Sequence, residues 1–551
     1  MKARTRVLAP ICSAAALGFA GALSLAGALG CRKAEAPTPN PPAPSLRLYV
    51  LSTTAGALEP CGCRKDMLGG VTHAAALIAD NHARAPQHLV LGAGPLLFQD
   101  PELDRGRGDQ DLWKAEALAD SFANLGLAAW APGNNDFAAG ATRLAELVAR
   151  SHAKLLGANL SAAGADAGTA FPLTATASYE VGGYRVGVAG IASAPATFAA
   201  PGDPSVALAA AERALVASGA QIRVALIAAP RGDALRLVEK VPGFAVALLG
   251  KPSESGDAND APPPPTLIGD TLVVETSNHL QTLGYVDLFV KENDFAFHDG
   301  MDLEQSERRE SLQRRIVDLD QRLNRWRSQA VAPSDQIAAG QQQRAALESE
   351  LSRLSATKTT QNAGGSFFRY EVSDVRESVG SDPGVANVTA AYYRRVNTHN
   401  REAFRDRLPV PAPAGTSHYL GEAACASCHA EADAFWKTMQ HAHAYQTLAS
   451  QFKEFNLDCV GCHVTGYNRP GGSTVAHVDG LEDVQCEACH GPGSRHVEQG
   501  GDTGLIQRKP DLSVCRSCHR APHVADDWNA EQAMKLILGS GHGLPVAPAA
   551  H

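Results

Sequence analysis

The chain has 551 residues, 44% hydrophobic and 19% charged, with a formal net charge of −9. This length exceeds that of one ordinary domain and predicts two or three. The acidic balance argues against nucleic acid as a partner, because a phosphate backbone is bound by an excess of lysine and arginine.

Residues 1–31 have the pattern of an export signal, with three basic residues followed by a run rich in alanine, leucine and glycine. The small residues before Cys31 resemble a bacterial lipobox, in which the cysteine becomes the lipid-modified first residue. A plain cleaved signal is the alternative. Residues 32–45 contain five prolines and are expected to form an extended tether. We therefore expect an exported lipoprotein, anchored in the membrane through Cys31 and facing the periplasm or the cell surface.

Residues 46–300 are predicted to form a layered α/β domain. Apolar strand-like runs alternate with amphipathic helix-like runs, which is typical of such folds. The strand candidates are 46–51, 89–91, 155–160, 184–191, 222–227, 245–249 and 272–275. The helix candidates between them include 71–79, 112–127 and 207–218.

Three phrases in this region resemble the calcineurin-like metallophosphoesterases of the 5′-nucleotidase branch. They are Gly56-Ala57-Leu58-Glu59-Pro60, Gly69-Gly70 and Gly133-Asn134-Asn135-Asp136-Phe137. The resemblance implies a fold that holds two metal ions and assigns a position in this chain to each of the family's ligand phrases. Those positions carry Thr53, Ala55, Gly94-Pro95, Gly133-Asn134-Asn135-Asp136 and Gly250-Lys251, so that only Asn134 is retained.

These replacements predict a domain that has lost its phosphoesterase activity. A dinuclear site needs several carboxylate and imidazole ligands, and threonine, alanine, proline and lysine cannot replace them. Asn134 and Asp136 alone cannot hold two metal ions. We expect a scaffold without catalysis, and the alternative is a redesigned site that still acts on nucleotides or phosphate esters.

Cys61 and Cys63 lie in the loop where the family's first metal ligands would be. A Cys-x-Cys pair is poorly placed for an internal disulfide. Two alternatives remain, which are structural cysteines in a glycine turn and a free thiol pair that binds a soft metal or exchanges with another thiol.

Residues 301–360 are predicted to form a helical hairpin. Heptad spacing typical of a coiled coil is found at Leu312, Ile316, Leu319, Leu323 and Trp326, and again at Leu347, Leu351 and Leu354. Pro333 interrupts the pattern. The hairpin is either a solvated spacer or an arm through which the chain forms oligomers. Residues 361–415 are expected to be a connector with a strand at 367–372 and a helix at 385–404.

Residues 416–551 contain the most specific pattern of the chain, Cys-x-x-Cys-His. It occurs four times, with Cys425, Cys428 and His429; Cys459, Cys462 and His463; Cys486, Cys489 and His490; and Cys515, Cys518 and His519. This motif attaches a c-type haem through two thioether bonds, and its histidine binds the iron. Zinc is the competing ligand of Cys-x-x-Cys pairs, but the histidine after every pair favours haem. We predict four haem c groups, whose attachment outside the cytoplasm agrees with the export signal.

The same segment resembles the tetrahaem cytochrome c family typified by the electron-transfer cytochrome of nitrifying bacteria. The resemblance is carried by Tyr419-Leu420-Gly421, by Trp436 with His441-Ala442-His443-Ala444-Tyr445, and by Gln485-Cys486-Glu487-Ala488-Cys489-His490-Gly491-Pro492-Gly493 with His496. It implies that His441, His496 and His542 are second axial ligands, with His443 as the alternative to His441. For the fourth iron, His477, His523, His443 and an unfilled position remain open.

The second axial ligand decides the expected function. A haem with two histidine ligands is saturated and transfers electrons, whereas an open haem can bind a small molecule. We expect an electron carrier for periplasmic or membrane redox proteins. The alternatives are a redox enzyme acting on a small nitrogen or sulfur species at one open haem, and after it a hydrolase. Four haems in about 135 residues leave little space for an apolar core, so the porphyrins are expected to form much of it.

Overall fold

The computed structural model describes residues 43–60, 67–161, 171–198, 201–256, 258–301, 303–327, 334–356, 365–520, 523–524 and 528–542. The predictions for the export signal, for lipid-modified Cys31 and for Cys61 and Cys63 lie outside these residues. Among the helices that are described, none combines the length and the apolar character needed to cross a bilayer.

The predicted strands and helices of residues 46–415 all overlap observed elements. The strands are β1 (Leu46–Ser52), β2 (His88–Ala93), β3 (Leu127–Ala131), β4 (Lys154–Leu156), β5 (Leu173–Thr174), β6 (Thr176–Val181), β7 (Tyr184–Ile191), β8 (Ile222–Ala228), β9 (Val246–Gly250), β10 (Thr266–Ile268), β11 (Thr271–Val274), β12 (Thr282–Phe289), β13 (Phe297–Asp299) and β14 (Ser366–Asp374). The helices are α1 (Val71–Asn81), α2 (Gly108–Leu125), α3 (Gly140–Ser151), α4 (Pro204–Ala217), α5 (Arg231–Lys240), α6 (Leu303–Arg327), α7 (Ser334–Ala356), α8 (Pro383–Ala403), α9 (Glu422–Ala426), α10 (Ala430–Trp436), α11 (Ala444–Ala449), α12 (Val460–His463), α13 (Cys486–His490), α14 (Ser494–Glu498), α15 (Ser513–Arg516) and α16 (Ala530–Ile537).

Strand β1 lies inside an eight-stranded sheet with the order β13-β14-β12-β1-β2-β3-β4-β5. All seven of its residues are buried, as expected for a strand covered on both faces. Alternate side chains point to opposite faces. Leu48 and Val50 therefore face a second sheet, while Tyr49 and Leu51 face the helices.

The second sheet has six strands in the order β10-β11-β9-β8-β7-β6. One apolar cluster lies between the two sheets, where Leu48 packs with residues such as Val188 and Leu226. A second cluster joins the first sheet to α1, α2, α3 and α8. A third joins the second sheet to α4 and α5. The result is a four-layer helix–sheet–sheet–helix domain, which confirms the predicted layered α/β fold.

The α/β domain extends beyond its predicted boundary at residue 300. Strand β14 pairs with β12 and β13 in the first sheet. Helix α8 adds Val385, Tyr392 and Val396 to the apolar cluster that covers this sheet. The predicted connector is corrected accordingly, because its strand and helix bury their apolar faces in the α/β domain and do not link separate bodies.

Helices α6 and α7 are inserted between β13 and β14. They lie on either side of Pro333, and they pack through Leu312, Leu319, Leu323 and Leu347. Two paired helices are therefore present where the heptad pattern predicts them. Their role as an oligomerisation arm stays a prediction.

Residues 416–542 are built differently, with short helices joined by irregular backbone. In the described part of this region the buried apolar cluster is small, and in it Val460, Val464 and Val475 pack with Phe404 from the end of α8. A polypeptide with so small a core needs another source of apolar packing. This arrangement agrees with the expectation that haem groups fill the interior.

Candidate haem-binding site

Each Cys-x-x-Cys-His motif forms a helical turn at a short helix. The second motif spans α12, the third forms α13, and the first and fourth overlap α9 and α15. Helix-type hydrogen bonds run from His429 N–H to Cys425 O at 2.9 Å and from His519 N–H to Cys515 O at 2.8 Å. Residues three and four apart in such a turn lie on one side of it. The turn therefore presents both thiols and the imidazole to the same space.

Three motif histidines each face a second histidine. The ring centres are 6.4 Å apart for His429 and His496, 6.3 Å for His490 and His542, and 6.0 Å for His519 and His441. Two imidazoles that bind one metal ion from opposite sides, with metal–nitrogen bonds of about 2.0 Å, have ring centres about 6 Å apart. The three spacings therefore fit a haem iron between each pair. His441, His496 and His542 are the three histidines that the sequence nominates.

In three of these histidines a hydrogen bond holds Nδ1, which leaves Nε2 available to bind a metal ion. The Nδ1 atoms of His463, His490 and His496 lie 2.6, 2.8 and 2.9 Å from the carbonyl oxygens of Ala444, Gln507 and Asp502. A carbonyl oxygen only accepts, so Nδ1 carries the proton and Nε2 keeps its lone pair. This is the tautomer that binds a metal ion through Nε2.

Burial keeps several of these rings neutral. Burial, followed by the neighbouring His519, lowers the pKa of His441. Burial, followed by His523, lowers the pKa of His519, and burial, followed by His490, lowers that of His542. A neutral imidazole is the form that binds a metal ion.

The histidine of the second motif, His463, differs from the other three. Within the described residues no ring pairing of this kind involves it. Of the candidates for a fourth distal ligand, His477 directs Nε2 to the carbonyl oxygen of Arg405 at 2.6 Å, and His443 is exposed. His523 lines the same cavity as His463.

Contacts between cysteines give the spatial order of the motifs. The side chain of Cys425 lies beside that of Cys486, and the side chain of Cys518 lies beside that of Cys462. Burial, followed by the neighbouring Cys515, raises the pKa of Cys489 to about 11. The first motif is therefore next to the third, the third next to the fourth, and the fourth next to the second.

Glu487, inside the third motif, binds two of the sequence segments on which the cytochrome resemblance depends. Its side chain is almost fully buried, and its carboxylate accepts N–H groups from Leu420 at 2.9 Å, Gly421 at 2.8 Å and Gly493 at 2.7 Å. These bonds attach the Tyr419-Leu420-Gly421 phrase and the glycines after the third motif to one buried anion. Both phrases thereby support the backbone around the third motif.

The haem region docks on α2 through Asp458, directly before the second motif. Its carboxylate binds Arg107 at 2.9 Å and Lys114 at 2.8 Å. Burial raises the pKa of Asp458, but Lys114 and Arg107 outweigh it and hold the pKa below its usual value. Gln110 of α2 adds hydrogen bonds to Asn456 and Leu457. The contact is thus a partly buried, hydrogen-bonded ion triad.

Replacing Asp458 by alanine is expected to lower the unfolding free energy of the haem-loaded protein by about 2–4 kcal/mol, because two partly buried cations lose their partner. Urea denaturation at neutral pH measures this difference. Since the folded pKa lies below the unfolded one, the contribution is present above about pH 4 and is lost as the pH falls further. Asp406, whose side chain is 91% exposed, is the matched control, and a similar loss in Asp406→Ala would contradict the interpretation.

A cavity of about 650 Å³ lies between the α/β domain and the haem region, which belong to one compact unit. The α/β domain contributes the loop after β1, together with residues of α2 and α8. From these elements come Leu58, Glu59, Pro60, Lys114, Tyr392 and Tyr393. The haem region contributes His441, Cys459, Cys462, His463, Cys515, Cys518 and His519. The cavity therefore borders the second and fourth motifs and the α/β domain together.

At the positions that the sequence resemblance assigns to metal ligands, side chains of the protein bind one another. The ammonium of Lys251 pairs with Glu254 and Asp260, and the hydroxyl of Thr53 accepts the Lys251 N–H at 2.9 Å. The Lys251 cation thus neutralises two neighbouring carboxylates. Within the described residues no group of three or more His, Cys, Asp or Glu side chains is arranged to hold a metal ion.

The Asn134-Asn135-Asp136 segment is also used internally. Asn134 accepts a hydrogen bond from Ser193 at 3.0 Å, and Asn135 donates to three carbonyl groups. Burial raises the pKa of Asp136 to about 6. The hydrogen bonds that its carboxylate accepts from the N–H groups of Leu96 and Leu97, both at 2.9 Å, act in the opposite direction and lower the pKa. These side chains support the loops of the domain, and their oxygens are occupied.

Sequence reasoning missed the residues that join the two parts. Lys114, Gln110 and Asp458 carry no motif, and Tyr392 appears in the sequence only as one apolar position of a helix. Their relation depends on how the α/β domain and the haem region pack. The proximity of Asp458 to a haem motif was the one available signal.

Part of the haem region is similar in sequence to known cytochromes. Residues 424–491 match the family described as Cytochrome c554 and c-prime. Cytochrome c-554 of Nitrosomonas europaea is 34% identical over 96 residues, which cover 14% of this chain and 41% of that protein. The match therefore spans less than half the length of that relative.

The α/β domain was compared with solved structures. A 5′-nucleotidase precursor from Thermus thermophilus is similar with a TM-score of 0.43 and 20% identity, over 69% of this chain and 62% of that chain. The sulfate thiohydrolase SoxB of the same organism has a TM-score of 0.38 and 20% identity, over 46% of this chain and 55% of that one. The α/β architecture itself is defined by its strand order and four layers. Over residues 424–491 the carboxyl-terminal region of the chain is thus similar to the family of cytochrome c554 and c-prime.

Proposed function

We propose that this chain is an exported c-type cytochrome that carries electrons through four covalently bound haems. When bound, each haem supplies one-electron redox chemistry. The residues of the chain attach it, orient its axial imidazoles and exclude water. The observation that supports the proposal most strongly is the set of three histidine pairs with ring centres 6.0–6.4 Å apart. Each pair combines a motif histidine with a histidine from elsewhere in the region.

The spatial order of the four motifs favours electron transfer from one haem to the next along a single line. Adjacent cysteines link the first motif to the third, the third to the fourth and the fourth to the second. Cys428 of the first motif is exposed, whereas the second motif lies against the α/β domain. We therefore assign electron exchange with periplasmic or membrane redox proteins to the first motif. The lipid anchor proposed at Cys31 would keep the chain near such partners.

The α/β domain is proposed to be a non-catalytic scaffold. Lys251 neutralises Glu254 and Asp260, and Asp136 accepts backbone N–H groups. A dinuclear phosphoesterase centre needs such carboxylates free for metal ions. The domain instead contributes the surface on which Asp458 and the second motif are held. The paired helices α6 and α7 are the proposed contact for oligomer formation.

The test is a count of haems in purified full-length protein. A pyridine haemochrome assay is expected to give four haems per chain, all reduced by dithionite and reoxidised by air, as four attachment motifs predict. The Cys459→Ser/Cys462→Ser variant is expected to lose one of the four. A lower count in the wild type, or haem that cannot be reduced, would overturn the proposal. Manganese-dependent hydrolysis of a chromogenic phosphate ester would restore the hydrolase alternative.

A redox enzyme is the second candidate, and it is favoured by His463. Within the described residues this histidine lacks the facing imidazole that the other motif histidines have. A haem with one protein ligand can bind a small nitrogen or sulfur species. Electron paramagnetic resonance of the ferric protein separates the two functions. One high-spin haem beside three low-spin haems supports the enzyme, and four low-spin haems support a carrier alone.

A further inference from the structure

The histidine pair at the fourth motif differs from the pairs at the first and third motifs in the angle between its rings. The planes of His519 and His441 are inclined by 61°. In the pairs of the first and third motifs the rings are nearly parallel, with planes inclined by 21° and 19°. The fourth motif therefore presents crossed imidazoles to an iron, and the other two present parallel ones.

Trp528 holds the imidazole of His519 in this orientation. Its indole ring is stacked on the imidazole, with ring centres 5.0 Å apart and planes inclined by 8°. Aromatic rings at this separation attract one another, and the attraction depends on their relative orientation. Rotation of the imidazole about a bond from Nε2 to an iron would carry it out of the stack. The indole therefore opposes that rotation.

The two rings of the fourth pair also differ in their hydrogen bonds. At the first and third motifs, Nδ1 of His496 and Nδ1 of His490 lie 2.9 and 2.8 Å from a backbone carbonyl oxygen. Within the described residues no such bond involves the ring of His519 or that of His441. A carbonyl acceptor at Nδ1 makes an imidazole a stronger donor to its metal ion, which stabilises the oxidised state. The fourth motif thus lacks an interaction that lowers the potential at the other two.

Charged side chains distinguish the fourth motif from the third in the same direction. Arg516 lies between the two cysteines of the fourth motif, and Arg520 follows its histidine. Both side chains are exposed, so water and salt screen their charges in part. The third motif has Glu487 between its cysteines, and this side chain is almost fully buried. Because reduction adds a negative charge, nearby cations favour the ferrous state and a buried anion favours the ferric state.

We propose that the haem at the fourth motif has the highest potential of the three haems with paired histidines, and that Trp528 is the positioning residue that keeps its imidazoles crossed. Crossed rings act in the same direction as the hydrogen bonds and charges. Two parallel rings raise the energy of one and the same iron d orbital, the one that reduction fills, whereas crossed rings do not.

This order of potentials makes the fourth motif the place where an electron from the first motif collects, directly beside the second motif. In the transfer from the third motif, ferrous iron there becomes ferric and ferric iron at the fourth becomes ferrous. One electron moves, and no bond forms or breaks. The inference rests on the proposed function in one respect, the presence of haem at these motifs.

A reductive titration of the full-length, haem-loaded protein, followed by electron paramagnetic resonance, tests the inference. Crossed imidazoles give a low-spin ferric signal at a larger g value than parallel imidazoles do. One such large-g signal is expected, and of the signals of the three paired haems it should disappear first on reduction. It should be absent from His441→Ala and present in His496→Ala, which assigns it to the fourth motif.

Trp528→Leu removes the stacked ring and frees the imidazole of His519 to rotate. The large-g signal is expected to be lost and replaced by one typical of nearly parallel imidazoles, which should be reduced at a lower potential. Trp528→Phe keeps a ring that can stack and should retain the wild-type signal. The wild-type titration depends on no variant, so the inference stays testable if Trp528→Leu does not fold.

Trp113→Leu is the matched control. Trp113 also packs against a histidine, with ring centres 4.7 Å apart, but its partner His399 lies on α8 and outside the haem motifs. This variant should leave every signal and the order of reduction unchanged.

Three results would overturn the inference. The first is a four-haem protein whose low-spin signals are all typical of parallel imidazoles. The second is a large-g signal that disappears after those of the other paired haems. The third is Trp528→Leu with four haems and the wild-type signal, which would leave the indole without a positioning role. A wild-type protein with fewer than four haems would instead contradict the proposed function itself.

Discussion

Replacing His441, His496 or His542 by alanine is expected to convert one haem from low spin to high spin in each variant. Each of these histidines faces a motif histidine at the distance that two axial ligands require. Removal of one imidazole leaves the iron with a single protein ligand. Electron paramagnetic resonance of the ferric protein should then show a loss of about one quarter to one third of the low-spin intensity.

His477 provides the matched control for these three variants. Its Nε2 lies 2.6 Å from the carbonyl oxygen of Arg405, so His477→Ala should leave every haem in its original spin state. A second control, His496→Met, should keep one haem low-spin and raise its potential, since methionine ligation raises the potential. An unchanged spectrum in all three alanine variants would show that the histidine pairs do not bind iron.

Replacing all eight motif cysteines by alanine is expected to unfold residues 416–542 while the α/β domain remains folded. The described part of this region has one small cluster of buried apolar side chains, around Val460 and Val464. Without porphyrin, its short helices have too little apolar contact to offset the entropy of ordering the chain. Hydrogen exchange should show near-complete loss of protection across the haem region.

The α/β domain is the internal control of the same experiment. Its clusters around Tyr49, Leu48 and Ile227 lie within its own layers and do not depend on haem. Protection of β1 and β8 should therefore persist. A haem-free variant with native protection in residues 416–542 would show that the polypeptide alone specifies this region.

The layered fold could be predicted because many strands are continuous apolar runs. The run 222–227 appears as β8, and 184–191 matches β7 in both bounds. Strand β12 was missed, although its eight residues are all buried. It contains Gly284 and Asp287, and the aspartate is buried only because Arg47 binds it from β1. The two residues are 240 positions apart, so the sequence around Asp287 contains no pattern that predicts its burial.

The site was predictable where chemistry requires a fixed spacing. The Cys-x-x-Cys-His motif predicts one proximal histidine for each haem, and the resemblance predicts His441, His496 and His542 as distal ligands. The resemblance does not indicate which distal histidine faces the histidine of which motif. His496 follows the third motif but faces the histidine of the first, and His441 follows the first motif but faces that of the fourth. Such crossed pairs depend on how the short helices pack.

The cavity beside the second motif constrains the order in which the protein is assembled. Covalent attachment requires that a haem and the attachment machinery reach Cys459 and Cys462, which in the folded chain line a space walled by α8 and by the loop after β1. If a haem is attached there, we expect its loading to precede the closure of Asp458 onto α2. The interface would then act as a checkpoint in biogenesis, since a chain that docks before haem attachment would be an incomplete product.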